Sequence, residues 1–235
     1  MRPVDIPGKI AEIVVRTPYV KSFRVTINAR IEFTAGQWGV LKIGGLPGLS
    51  KPLSISSSPT EKGYLEFTKK ITTSDFSKGL DGLKVGDGIV IQYPFGNFIF
   101  PGDTPKIAFI SGGIGITPIR SICKDLTDCG SDTSVILLYG NNSIDEIAFK
   151  DDLDRMQSQN RNMKVTHVLR SAPGGWKGYT GFICEELIHK EIPDYLERRF
   201  YLCGPPAMVH SFKDILTEKF RLPQTQVVTE DFKGY

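Results

Sequence analysis

The sequence predicts two domains, an all-β domain followed by an α/β domain with a parallel sheet. Residues 1–100 contain short apolar runs separated by turn residues, which is typical of an antiparallel sandwich or a small barrel. From residue 106 onward, apolar strands alternate with amphipathic helices, which indicates crossover connections within a parallel sheet. Residues 100–106 carry two prolines and a glycine between these two patterns. We therefore predict domains at 1–101 and 102–235.

Strand signals in the first domain are clearest in three runs. Residues 23–27 and 64–71 place apolar side chains at every second position, and residues 88–93 are rich in β-forming residues. Turn-forming residues fill the intervals between these runs. This spacing predicts several short antiparallel strands.

The second domain is predicted to contain five parallel strands that alternate with helices. The strands are residues 106–111, 134–140, 163–170, 199–204 and 226–232. The first is an almost continuous apolar run, as expected for a strand buried on both faces. Apolar residues with helical spacing, including Ile119 and Ile122, predict a helix after it, and residues 182–188 predict another.

Composition and charge narrow the class of protein. Hydrophobic residues make up 40% of the chain, and the net charge of +3 is too small to indicate a nucleic-acid-binding protein. The four cysteines include no Cys-x-x-Cys pair, so we expect no metal site. No leader-like segment or membrane-length apolar run is recognisable, and we expect a reduced, cytoplasmic setting with no membrane span.

A glycine-rich turn joins the first strand of the second domain to its helix. Gly112, Gly113 and Gly115 allow a ligand to approach backbone N–H groups, and the N-terminus of the helix carries partial positive charge. Thr117 is expected to be the N-cap residue, with Pro118 as the first helical residue. This context favours binding of a nucleotide phosphate, and a tight packing turn is the alternative.

The ends of the other predicted strands support a ligand site at the same edge of the sheet. Asn141 and Asn142 end the second strand where a Rossmann fingerprint would place an acidic residue, so the plain dinucleotide fingerprint is not met. Arg170 ends the third strand, and residues 203–208 follow the same pattern of small and bend-forming residues. Because ligands of open α/β sheets bind beyond the carboxyl ends of the strands, we expect these residues to surround one.

The first domain contains a second group of candidate binding residues. Residues 50–59 are rich in hydroxyl groups, for which a serine-rich turn is the plain interpretation. Thr68, Lys69 and Lys70 precede a short run in which Ser74 is placed to cap a helical turn. Lysines and the N–H groups of a helix terminus are suited to a pyrophosphate.

Taken in order, these stretches resemble the motifs of the ferredoxin–NADP reductase family. Lys51-Pro52-Leu53-Ser54 and Thr68-Lys69-Lys70-Ile71 resemble its flavin motifs, Ser77-Lys78-Gly79-Leu80 its pyrophosphate turn, and residues 94–98 the turn that closes its barrel. Residues 112–118, 176–181 and 203–208 resemble the family's pyridine-nucleotide domain. The resemblance covers essentially the whole chain.

The resemblance implies a six-stranded FAD-binding barrel and an NAD(P)-binding α/β domain, with hydride passing from nicotinamide C4 to flavin N5. It implies that Ser54 hydrogen-bonds near N5, that Cys203 lies at the nicotinamide side and that Glu230 lies near the redox centre. Phe232 or Tyr235 would cover the isoalloxazine face. The other implied or expected cofactor-binding residues are Lys51, Pro52, Leu53, Thr68, Lys69, Ser74 and Ser77 for the flavin, and Gly112, Gly113, Gly115, Thr117, Pro118, Asn141, Asn142, Arg170, Cys203, Gly204 and Pro205 for the nucleotide.

Three residues depart from the family's flavin motifs. Lys51 stands where an arginine is usual and lacks the bidentate fork of a guanidinium. Leu53 replaces the stacking tyrosine, and Ser74 replaces a glycine. We expect FAD as the flavin, with FMN as the alternative.

The sequence also favours NADH over NADPH. Asp145 and Glu146 follow the second strand of the α/β domain and would repel a 2′-phosphate. Arg170 is the cation placed to reverse this preference, because a guanidinium binds phosphate well.

The expected function is that of an FAD-dependent NAD(P)H oxidoreductase. The sequence shows no cysteine-rich extension, so we expect electrons to pass to a separate acceptor: a ferredoxin, a flavodoxin, a cytochrome, an oxygenase component or free flavin. One alternative is a flavin-bearing electron-transfer subunit of a larger complex of the hydrogenase or dihydroorotate dehydrogenase type. The other is a non-catalytic module that has lost its flavin.

Overall fold

The chain forms two sheets, and this confirms the predicted two-domain fold class. The computed structural model describes residues 4–44 and 48–231. The two residues expected to cover the flavin, Phe232 and Tyr235, lie outside the described residues. Strand β6 ends at Phe95 and β7 begins at Lys106, and the boundary at 101/102 between them stays a prediction.

The first sheet is antiparallel and closes into a barrel. Its strands are β1 (Ile6–Thr17), β2 (Val20–Ile27), β3 (Trp38–Ile43), β4 (Ser50–Ser54), β5 (Leu65–Lys70) and β6 (Gly88–Phe95), and helix α1 (Asp75–Asp81) follows β5. The strand order is β4-β3-β6-β1-β2-β5, and an antiparallel bridge between Ile55 and Phe67 joins the two outer edges. A barrel, rather than a sandwich, is therefore the correct alternative.

The alternation in the sequence sets which side chains fill the barrel. Phe23 pairs with Phe67 and Val25 pairs with Leu65 across β2 and β5, and all four side chains are fully buried. A one-residue slip would turn this entire set outward, so the hydrophobic pattern specifies the register. Leu53 of β4 packs in the same core.

The second sheet is parallel and has six strands within the described residues, so the expectation of five is wrong. Its elements are β7 (Lys106–Gly112), α2 (Ile116–Asp128), β8 (Ser134–Asn141), α3 (Lys150–Gln159), β9 (Met163–Leu169), β10 (Tyr179–Thr180), α4 (Glu185–Glu191), β11 (Arg199–Gly204), α5 (Pro206–Asp214) and β12 (Val227–Asp231). The order is β10-β9-β8-β7-β11-β12. The sixth strand is β10, whose two residues are too few to produce a periodic pattern in the sequence.

The start of α2 also differs from the prediction. A 3₁₀ turn at Gly113–Gly115 precedes the helix, which begins at Ile116, so Thr117 is not the N-cap residue and Pro118 is not the first helical residue. The Thr117 hydroxyl donates to the carbonyl of Ile114 at 3.1 Å. In a regular helix the Ile114 carbonyl would accept from the backbone N–H of residue 118. Pro118 has no N–H group, and the Thr117 hydroxyl takes its place.

The cores of the two domains meet. Phe98 and Ala35, which precede the second sheet in the chain, pack in the same cluster as Phe109 and Tyr201 of that sheet. The hydroxyl of Tyr201 donates to the carbonyl of Ile99 at 3.1 Å. Of the helices in the described part of the chain, none is long and apolar enough to cross a membrane.

Candidate active site

A cavity of about 470 Å³ opens at the carboxyl edge of the parallel sheet. Parallel strands present their carboxyl ends along one edge, and this is where such sheets bind ligands. The predicted nucleotide residues that line it are Gly112, Gly113, Gly115, Asn141, Asn142, Arg170, Gly204 and Pro205. Thr117, Pro118 and Cys203 are buried and are not among the lining residues.

The glycine-rich turn serves both packing and access. A Cβ atom on Gly115 would lie 2.3 Å from the carbonyl oxygen of Cys203, so only glycine lets the start of α2 approach the end of β11 this closely. Gly113 has a φ of +52°, and a Cβ atom placed there would meet nothing within 4 Å. The backbone at Gly113 is thus open to a ligand, as a phosphate at a helix N-terminus requires.

The end of β8 brings polar and charged groups to the cavity. Asn141 is buried, and neither polar atom of its amide makes a hydrogen bond of ordinary geometry to a described residue. The Asn142 amide donates to the Glu146 carboxylate at 3.1 Å, and Nζ of Lys70 lies 3.3 Å from the same carboxylate. The unpaired Asn141 amide is suited to a ligand, since buried polar groups are normally hydrogen-bonded.

Phe182 was missed by sequence reasoning. The prediction assigned residues 182–188 to a helix, but α4 begins only at Glu185, and Phe182 lies at the wall of the cavity with its side chain 73% exposed. The guanidinium of Arg170 lies 5.5 Å from the centre of its ring. The only available signal was its position after the motif at residues 176–181, because a lone apolar residue before a helix is typical of packing.

The three predicted catalytic residues come together where the domains meet. Cys203 pairs with Glu230 in the parallel register of β11 and β12, and Ser54 at the end of β4 lies against Glu230 from the barrel. Both Ser54 Oγ and Glu230 Oε2 are buried without a hydrogen bond of ordinary geometry to any described residue. Two orphaned polar atoms facing each other in this way are suited to a polar ligand between the domains.

Burial governs the protonation of this group. It raises the pKa of Glu230 to about 7; the Ser54 hydroxyl opposes this rise and the charge of Asp231 adds to it. Burial, with Glu230 and Asp231, also raises the pKa of the Cys203 thiol. Cys203 is therefore a neutral thiol, and Glu230 exchanges its proton close to neutral pH.

Two of the predicted flavin residues, Lys69 and Lys51, lie near each other in the barrel. Lys69 is buried, and both burial and the charge of Lys51 lower its pKa. Two lysines held near each other favour an anion between them. Ser74 caps α1 by accepting from the backbone N–H of Ser77, as the sequence predicts for Ser74.

Two other predicted flavin residues, Thr68 and Leu53, have side chains buried in the barrel. The Thr68 hydroxyl lies 2.7 Å from both the Ser22 and the Ser56 hydroxyls, and Leu53 is part of the barrel core. Pro52 is exposed. The Thr68 hydroxyl therefore belongs to a hydrogen-bond network of the barrel, and Leu53 belongs to its core. Ser54, Lys51 and Lys69 remain suited to a flavin.

Comparison with known proteins agrees with this geometry. Residues 109–214 match the family model described as an oxidoreductase NAD-binding domain. The fold is that of the ferredoxin reductase in carbazole 1,9a-dioxygenase (TM-score 0.86, 24% identity, 99% of this chain and 70% of that chain) and of the cytochrome b5 reductase domain of Ulva prolifera nitrate reductase (TM-score 0.85, 21% identity, 97% of each chain). These matches agree with the resemblance to the ferredoxin–NADP reductase family that the sequence motifs carry. The match to an oxidoreductase NAD-binding domain supports the predicted pyridine-nucleotide cofactor of the second domain.

Two curated relatives illustrate the range of proteins in the family. NADH-cytochrome b5 reductase 1 of Ajellomyces capsulatus is 33% identical over 67% of this chain, which covers 54% of that relative. The phenol hydroxylase P5 protein of Acinetobacter pittii is 28% identical over 97% of this chain, which covers 65% of it. The chain thus spans between about half and two thirds of the length of these relatives.

We expect Glu230 to make the protein less stable as the pH rises from about 4.5 to about 7. In this window the folded protein holds a proton that the unfolded chain has lost, so the free energy of unfolding falls with increasing pH. Urea denaturation at about pH 5 and about pH 8 measures the change, and Glu230→Gln should show a smaller loss than wild type. Equal losses in the two proteins would show that Glu230 titrates at its ordinary pKa.

Proposed function

We propose that the protein is an FAD-dependent reductase that oxidises NADH and passes the electrons to a separate redox protein. The observation that carries this proposal is the meeting of Ser54, Cys203 and Glu230 between the two domains. The carbonyl of Cys203 lies beside Gly115, which also forms part of the wall of the nucleotide cavity. A flavin ring and a nicotinamide ring both need to reach this point, one from each domain.

The residues of the chain have three tasks: they hold the cofactors, orient the reacting edge of the flavin and keep a proton close to it. When bound, FAD supplies the redox chemistry by accepting hydride from nicotinamide and releasing electrons to the acceptor. The Ser54 hydroxyl faces Glu230 and is suited to donate a hydrogen bond to the reacting edge of the flavin, and Glu230 is suited to hold a proton nearby at neutral pH. The neutral Cys203 thiol supplies a small apolar surface that keeps water away.

Charges at the cavity support NADH as the nucleotide. Glu146 lies at the cavity wall with its carboxylate held by Asn142 and Lys70, so it would face a 2′-phosphate with negative charge. Asp145 is exposed and is not among the lining residues. The guanidinium of Arg170 lies against the Phe182 ring, and its positive charge would favour the 2′-phosphate of NADPH. We give the carboxylate more weight because Glu146 is less exposed than Arg170, so water screens its charge less.

The names of the relatives support a protein acceptor. One is named an NADH-cytochrome b5 reductase and another a phenol hydroxylase P5 protein, and the first name specifies a protein that receives the electrons. We propose an acceptor of this class, a cytochrome or an oxygenase component, in a cytoplasmic setting.

The proposed function predicts a yellow protein that NADH bleaches. We expect about one FAD per chain, released on denaturation and identified by chromatography, with visible absorption that falls when NADH is added without oxygen. Reconstitution with excess FAD or FMN serves as the control for cofactor loss during purification. A protein that takes up no flavin after reconstitution would refute the proposal.

Replacing Ser54 by alanine is expected to slow flavin reduction by about 10²–10³-fold while the flavin stays bound, because one hydrogen bond at the reacting edge is lost. Stopped-flow absorbance with NADH measures the rate. Ser158→Ala is the matched control, since the Ser158 hydroxyl bonds only the carbonyl of Arg155 at the exposed end of α3. An unchanged rate in Ser54→Ala would remove Ser54 from the reaction.

Steady-state kinetics with both nucleotides test the preference for NADH. We expect a higher kcat/KM for NADH, and we expect Glu146→Gln to raise kcat/KM for NADPH about tenfold by removing a repulsive charge. Asp145→Asn, which changes a neighbouring carboxylate outside the cavity wall, should leave the ratio unchanged. A wild-type preference for NADPH that collapses in Arg170→Ala would show that Arg170 decides the specificity instead.

A further inference from the structure

Arg120 of α2 is a buried cation that joins the two domains. Its side chain is only 4% exposed, and its guanidinium forms a two-bond ion pair with Glu61, which lies between β4 and β5 of the barrel. It also donates to Asp152 of α3 at 3.0 Å and to the carbonyl of Ser56 at 3.0 Å. One side chain therefore holds groups from both domains.

The next residue strengthens the same junction. The Ser121 hydroxyl donates to the carbonyl of Ser57 at 2.6 Å, so consecutive residues of α2 bind consecutive carbonyls of the barrel chain. Ser54 lies only two residues before Ser56. The helix therefore fixes the backbone that carries the Ser54 hydroxyl.

The N-terminus of α2 is fixed to the nucleotide side. Gly115 packs against the carbonyl of Cys203 so closely that a Cβ atom would not fit. Gly115 and Arg120 are five residues apart, which is roughly 7.5 Å along a helix axis. The first half of α2 is thus a short rigid spacer between Cys203 and the Ser54 strand.

Each charged group around Arg120 has a partner of opposite charge. Burial alone would raise the pKa of Glu61, but the guanidinium holds it below its ordinary value. The carboxylate of Asp152 also forms an ion pair with the guanidinium of Arg16 of β1, with 3.7 Å between nitrogen and oxygen. The centre of the Phe149 ring lies 4.6 Å from the same guanidinium. A guanidinium is planar and makes several bonds in fixed directions, whereas a lysine would supply the charge without that geometry.

We propose that Arg120 is a positioning residue for the transfer of hydride between nucleotide and flavin, and that it acts by fixing the Ser54 strand relative to Cys203. The proposal rests on the proposed function. It assigns Arg120 a geometric role, since its guanidinium is used by Glu61, Asp152 and Ser56. A misplacement of about 1 Å at a reacting centre is expected to lower the rate by up to about 10²-fold.

Arg198 provides a matched control. It is also 4% exposed and also combines an ion pair, to Asp194 at 2.6 Å, with bonds to two backbone carbonyls. All of these partners lie in the α/β domain. Arg198 variants therefore test the loss of a buried guanidinium that does not join the domains.

The experiment compares Arg120→Lys, the double variant Arg120→Met/Glu61→Gln, and Arg198→Lys. The double variant removes both charges, so that neither is left buried alone. We measure the thermal midpoint, the flavin content, the dissociation constant for NADH and the rate of flavin reduction at saturating NADH. We expect the Arg120 variants to keep flavin and NADH binding while reduction slows about 10–100-fold, and Arg198→Lys to lose stability with an unchanged rate.

Domain position is measured independently of activity. Spin labels at Val85→Cys in the barrel and at the native exposed Cys184 in the α/β domain, with Cys129→Ser, report the distance between the domains. We expect the distance distribution to broaden or shift in the Arg120 variants and to stay unchanged in Arg198→Lys. This readout does not need bound flavin, so it tests the junction even if the proposed function is wrong.

Three outcomes would overturn the inference. They are an unchanged reduction rate in both Arg120 variants, an equal slowing in Arg198→Lys, and a slowed reduction with no change in the distance distribution. If the wild type takes up no flavin, the proposed function fails, and the spin-label distances still decide whether Arg120 fixes the domains.

Discussion

The buried ion pair between Arg120 and Glu61 joins the two domains, and our proposal assigns to it the arrangement of the site between them. Neither domain contains a complete site, because the Ser54 hydroxyl belongs to the barrel and the Cys203–Glu230 pair belongs to the parallel sheet. A buried charge pair is a weak source of net stability but a strong source of specific geometry, since a displaced partner leaves a charge without water. Such a contact suits a junction that has to hold two ligands in register.

The glycine-rich turn is the second constraint, and it acts from the opposite end of α2. Gly115 is required because the carbonyl of Cys203 occupies the space of a Cβ atom, and Gly113 provides an open backbone with a positive φ. The cluster of glycines therefore combines a packing function with a binding function. The sequence alone leaves these two interpretations open, since both demand the same residue type.

The serine-rich tract at residues 50–59 shows that a residue pattern does not predict what each of its side chains does. Ser54 has an unpaired buried hydroxyl among the described residues, whereas Ser56 binds Glu66 and Thr68, and the carbonyl of Ser57 accepts from Ser121. Neighbouring serines in one run thus belong to the proposed reaction site, a barrel network and a domain junction. A hydroxyl group carries no local signal that separates these roles, because each role is defined by a partner far away in the sequence.

The sequence by itself determined the two-domain class, the alternation of strands and helices in the second domain and the glycine-rich turn, because these follow from periodicity and from residue types that act locally. It also indicated Ser54, Cys203 and Glu230 through motif resemblance. Only the tertiary structure decided that the barrel closes through Ile55 and Phe67, that β10 adds a sixth strand, that Phe182 lines the cavity and that Arg120 joins the domains. These features depend on pairings between distant segments, and a two-residue strand or a single arginine has no periodicity from which its partner follows.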